Sequence, residues 1–259
     1  MKRKIYGEVK RSRMKARIRE WYRRFEGRVY FFATGILFAL LLFPFVFALI
    51  RTTAFAFTDG QGASDGLGQY GDEDTPTPIY VKSGAYNVPN KLGVSSPASL
   101  AIDEAGHRLF FADTTNNRVL VFNLGTDNTL SDRIPDAVLG QANFYTNTAS
   151  NTVSGMSAPE GVAYNASSSL LYVSQTGNHR VTVYDVASIT NGENATNVLG
   201  QSTFTASAAA DTQAGLRSPG RLMYDPTNSR LYVSQTGSNR VSIFDGAAIT
   251  DGENAGGLI

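Results

Sequence analysis

The segment Leu109-Phe110-Phe111-Ala112-Asp113-Thr114-Thr115-Asn116-Asn117-Arg118-Val119 returns as Leu171-Tyr172-Val173-Ser174-Gln175-Thr176-Gly177-Asn178-His179-Arg180-Val181, and again as Leu231-Tyr232-Val233-Ser234-Gln235-Thr236-Gly237-Ser238-Asn239-Arg240-Val241. The copies begin 62 and then 60 residues apart. A period of that size, filled with short apolar runs and Gly/Asn/Asp turns, defines units that cannot bury their own faces and must stack on their neighbours.

Each unit resolves into four short strands. Ser96-Pro97-Ala98-Ser99-Leu100-Ala101-Ile102-Asp103 recurs as Ala158-Pro159-Glu160-Gly161-Val162-Ala163-Tyr164-Asn165 and Ser218-Pro219-Gly220-Arg221-Leu222-Met223-Tyr224-Asp225. The Leu109, Leu171 and Leu231 strands follow, then Val119-Leu120-Val121-Phe122 and its copies. The fourth strand is Ala137-Val138-Leu139-Gly140-Gln141 and Asn197-Val198-Leu199-Gly200-Gln201, and the third unit stops at Ala255-Gly256-Gly257-Leu258-Ile259 where that strand is due. Strands this short, with no helical period between them, predict an all-β array of four-stranded antiparallel meanders, the blade of a β-propeller. Three blades are visible, at about 93–141, 154–201 and 214–259, within a repeat region of 79–259. Closed propellers carry four to eight. An incomplete propeller is therefore expected, with Ile79-Tyr80-Val81 read as a spare outer strand and self-association as one route to closure.

These residues resemble the NHL repeat family, most closely at Ala112-Asp113-Thr114-Thr115-Asn116-Asn117-Arg118-Val119, and the likeness covers about residues 93–259. The later copies depart from the pattern by placing Gln175 and Gln235 where Asp113 stands. The Asp/Arg pairing that the resemblance implies is thus not obligatory here. An Arg at a hairpin base needs acceptors, and a Gln or backbone carbonyl supplies them at lower electrostatic strength than a carboxylate. Asp113, Arg118, Gln175, Arg180, Gln235 and Arg240 are accordingly read as structural repeat positions.

Ahead of the repeats the chain changes character. Residues 1–28 hold 12 Lys/Arg and 3 Asp/Glu, and Met14, Ile18, Trp21, Tyr22 and Phe25 share one helical face, the pattern of a basic amphipathic segment on an anionic leaflet. Residues 29–50 follow without a charge, 15 of the 22 being Phe, Leu, Ile or Val. As a helix they reach about 33 Å, enough for a hydrocarbon core of about 30 Å. The basic flank places the amino terminus in the cytoplasm and the repeats outside it, in a single-pass membrane protein whose first partner is the lipid bilayer. Ala54-Phe55-Ala56 also fits a signal-peptidase site, so the alternative is a secreted product cleaved after Ala56. Residues 51–78, rich in Gly, Asp, Thr and Gln, read as a flexible linker.

Little in the chain points to catalysis. Cysteine is absent and the two histidines, His107 and His179, cannot make a three-His zinc site; no phosphate loop, dinucleotide fingerprint or nucleophile elbow is present. The portion after residue 28 is net acidic, which opposes nucleic acid. No cofactor, metal or catalytic residue is assigned. The expected function is a membrane-tethered extracytoplasmic module that binds a protein, peptide or glycan. The alternative is a propeller lyase or lactonase whose metal ligands lie in blades outside this chain. The candidate binding rim is formed by the interblade loops, carrying Phe144, Tyr145 and Phe204, beside the Asn117, His179 and Asn239 turns.

Overall fold

The computed structural model describes residues 89–259 together with a few earlier positions: Met14, Lys15, Arg17, Arg19 and Glu20, which are helical, and Gln61, Ala63 and Gly66–Gly68. The expected span at 29–50 and the strand read at Ile79-Tyr80-Val81 lie outside the described residues, and among those described no helix is long and apolar enough to cross a membrane.

The repeat region is all β. Blade 1 comprises β1 (Pro97–Asp103), β2 (Arg108–Asp113), β3 (Arg118–Asn123) and β4 (Ala137–Leu139). Blade 2 comprises β5 (Pro159–Asn165), β6 (Leu170–Gln175), β7 (Arg180–Asp185) and β8 (Asn197–Leu199). Blade 3 comprises β9 (Pro219–Asp225), β10 (Arg230–Gln235), β11 (Arg240–Asp245) and β12 (Gly257–Leu258). Each is an antiparallel meander with the strands in sequence order. The third blade thus has the fourth strand that its side chains do not announce. Backbone pairing needs no side-chain signature, and Val241 and Ile259 exchange both of their N–H to C=O bonds.

The first strands, β1, β5 and β9, lie against one another, and the blades stack face to face. Side-chain alternation decides which residue meets which neighbour. Phe110, Val119, Val121 and Leu139 of blade 1 pack with Val162, Leu171, Val173 and Tyr184 of blade 2. Ala163, Tyr172, Val181, Val183 and Leu199 of blade 2 pack in turn with Leu231, Val233 and Phe244 of blade 3. Every blade therefore has one face for the blade before it and one for the blade after it. On blade 3 the counterpart positions are open: Met223, which corresponds to Ala163, is 58% exposed.

Exposed strand edges are covered by the next blade. The β7–β8 loop reaches back to β4, where Asn191 Oδ1 accepts the Val138 N–H at 3.0 Å and the Gly192 N–H bonds the Val138 carbonyl at 2.9 Å. The β11–β12 loop repeats this on β8, with Asp251 accepting from Val198 and Gly252 donating to it. Capping of this kind removes an edge that would otherwise pair with another chain.

Candidate functional site

The recurring arginines are the most connected side chains of the array. Arg118, wholly buried, donates through Nε to Asp113 at 2.7 Å, through one terminal nitrogen to the Phe144 carbonyl at 2.6 Å, and through the other to the carbonyls of Asn90 and Gly93 at 3.1 and 2.8 Å. Arg180 repeats the pattern on Gln175, Phe204, Asn151, Thr152 and Gly155. Arg240 does the same with Asp211, Thr212 and Gly215, while its buried Nε has no partner. A guanidinium has five N–H donors, and here they fasten the loops that enter and leave a blade. All three arginines hold backbone carbonyls of these loops; Arg118 and Arg180 are fully buried, whereas Arg240 is half-buried.

The residue before the turn completes the anchor, by two different chemistries. Asp113 accepts the Ser95 N–H at 2.7 Å and both contacts from the Asn116 amide. Gln175 Oε1 accepts from Ser157 N–H, Asn178 and Arg180, and Gln235 Oε1 accepts from Arg217 N–H. An amide brings a buried NH2 group that a carboxylate does not have. It is met by Thr182 Oγ1 at 2.8 Å in blade 2 and by Ser242 Oγ at 2.6 Å in blade 3. In blade 1, where Asp113 has nothing to donate, the same position is Leu120. Burial pushes the Asp113 carboxyl above its ordinary range, and the Arg118 charge and the surrounding donors pull it back.

The turn residues Asn117, His179 and Asn239 share a left-handed backbone, with φ of 52, 51 and 50°. The first two act between blades: Asn117 Oδ1 accepts the Ala158 N–H at 2.8 Å, and His179 Nδ1 accepts the Ser218 N–H at 3.0 Å. The acceptor role requires neutral His179, and burial, aided by the Arg217 charge, pushes its pKa below the usual value. Threonines add a second tie, Thr114 and Thr176 each donating to the carbonyl of the next blade's first proline at 2.7 Å.

The turns stand beside the interblade loops, since the Asn117 amide donates to the Asn147 carbonyl at 2.8 Å and Gln141 donates to the Asn117 carbonyl at 2.9 Å. Phe144 is buried within the blade 1 cluster, and Phe204 packs on the core between blades 1 and 2. Tyr145 differs. It is 65% exposed, while Asn239 stands exposed on the third turn. His107 is elsewhere, bonded to Asn128 at 2.7 Å beside the β3–β4 loop. A cleft of about 490 Å³ is lined by Pro97, Ala98, Ser99, Leu100, Phe111 and Arg221; sequence reasoning did not single it out. Among the described residues no group of three His, Cys, Asp or Glu is placed to hold a metal.

Three meander sheets stacked face to face define the chain as an all-β array of propeller-like blades. No protein-family profile matches it. It is 29% identical over 171 residues, 58% of its length, to the chloroplastic protein SUPPRESSOR OF QUENCHING 1 of Arabidopsis thaliana, and it spans 14% of that relative. Among solved structures it is similar to the hydrazine synthase of Kuenenia stuttgartiensis at 15% identity and a TM-score of 0.41, over 65% of this chain and 35% of that one.

Proposed function

We propose that this chain is a membrane-tethered, extracytoplasmic arc of NHL-type blades that binds a protein, peptide or glycan on the rim formed by the interblade loops and the β2–β3 turns, without catalysis. The observation that carries the reading is how the polar side chains are divided. Arg118, Arg180 and their Asp or Gln partners are consumed by internal bonds, whereas Tyr145 stands on the same rim at 65% exposure. A rigid amphipathic ring is the side chain that anchors recognition surfaces at low entropic cost. The basic and apolar segments before residue 51 support the tether.

A photo-crosslinking residue at position 145, in the full chain in intact cells, is expected to yield discrete adducts that the same probe at exposed Ser168, beside the β5–β6 turn, does not. Equal or absent labelling at both positions would remove this rim as the binding surface.

A further inference from the structure

The interblade loops of the proposed rim are almost free of charge: no Asp, Glu, Lys, Arg or His occurs from Gln141 to Pro159 or from Asn194 to Ala210. Asp211 and Arg217, at the far end of the second loop, pair with each other at 2.8 Å. Nor is the rim apolar. Of the large hydrophobic side chains exposed among the described residues, Tyr145 alone belongs to these loops. A protein or peptide interface draws its affinity from a cluster of such anchors, and an anionic ligand needs cations to meet it. These loops offer no such cluster and no unpaired cation.

What they offer is a fixed backbone with unspent polar side chains. Arg118 donates to the Phe144 carbonyl at 2.6 Å, Asn117 to the Asn147 carbonyl at 2.8 Å and Gln141 to the Thr148 carbonyl at 3.0 Å. The Asn151 amide donates to the Thr205 carbonyl at 2.6 Å and joins this loop to the next. On that frame the side chains of Tyr145, Asn147 and Thr148 are exposed, and none of the three bonds to another described residue. Together they make one flat apolar face and, beside it, groups that donate and accept without charge. A pyranose is their complement, with C–H groups on the face of its ring and hydroxyls along its edge. We propose that the rim recognises a neutral glycan, one sugar unit stacking on Tyr145 while Asn147 and Thr148 bond its hydroxyls; the assignment rests on the rim being the binding surface. The next loop carries Thr205, Ser207 and Ala208 at the corresponding places and has no platform. A backbone fixed in advance lowers the ordering cost of binding. One sugar unit held by one ring and two polar groups binds at about 1 mM, so the partner is a polymer or a surface that repeats the unit.

Benzoylphenylalanine is placed at Thr146, exposed beside an intact Tyr145, and irradiated in the full chain in intact cells, where its excited ketone inserts into the C–H bonds of whatever lies on the ring. Tandem mass spectrometry of the peptide carrying position 146 is expected to show added hexose, N-acetylhexosamine or deoxyhexose units. Tyr145→Ala is expected to lower the adduct yield about fivefold, and Tyr145→Phe to retain it, because stacking needs the ring and not the hydroxyl. Neither is expected to move Tm, since the side chain is exposed. Amino-acid or acyl-chain fragments in place of sugar leave the rim as a binding surface and overturn the glycan. Uronate or sulfated units overturn its neutrality, and a yield indifferent to Tyr145→Ala overturns the stacking platform. Absence of any adduct at position 146 removes the rim, and this proposal with it.

Discussion

Thr182→Val tests whether the amide of Gln175 and the hydroxyl of Thr182 form one unit. Valine keeps the shape of threonine and removes only the oxygen that Gln175 Nε2 contacts at 2.8 Å; both residues are fully buried, so water cannot replace it. A buried donor left unpaired costs about 1–3 kcal/mol. In a domain of this size each kilocalorie lowers Tm by about 2–4 °C, so a loss of about 2–12 °C is expected. The isosteric Gln175→Glu removes the NH2 group while keeping acceptors for Asn178 and Arg180. On that background the valine is expected to cost about 1 kcal/mol less, because no donor is stranded. Urea unfolding of the four proteins completes a double-mutant cycle. Additivity within about 0.5 kcal/mol would refute the coupling and reduce Thr182 to packing.

The pH dependence of stability follows from His179. Its pKa is lowered in the fold, so the unfolded chain binds the proton more readily: stability is full above about 6.5 and is lost as pH falls from there through the folded value. His179→Asn supplies the acceptor that Asn117 supplies one blade earlier and does not titrate, so the difference between wild type and variant is expected to widen in urea melts from pH 7.5 to 5; parallel curves would exclude the Ser218 bond as its origin. Gly200→Ala forces a Cβ at φ of +86° to within 2.6 Å of Leu216 and is expected to destabilise by about 1–3 kcal/mol, measurable as a lower urea midpoint. For topology, protease added to intact cells is expected to digest a tag at Ile259 and spare one at Met1; the reverse would overturn the orientation read from the basic segment.

The blades were legible because their strands alternate and their turns recur, so Leu109, Leu171 and Leu231 could be aligned without any partner sequence. What escaped that reading involves residues whose signal is short or relational. Leu67 sits in a polar stretch read as linker yet packs on the cluster of Val94, Phe111 and Phe122, and an isolated apolar residue carries no periodicity. Gly257 and Leu258 pair through backbone alone. The exchange of Asp113 for Gln175 and Gln235 was visible as a departure, but its compensation lies seven residues on, across a hairpin, in Leu120, Thr182 and Ser242. A carboxylate tolerates an apolar neighbour there because it has no proton to place, whereas an amide requires a hydroxyl within reach. That rule distinguishes the bonding of the repeat positions from that of Tyr145. Where every polar atom of a recurring residue is matched inside the protein, as at Gln175 and Arg180, the recurrence records an anchor. Tyr145, exposed and with Thr205 at its place in the next loop, answers to no such internal demand.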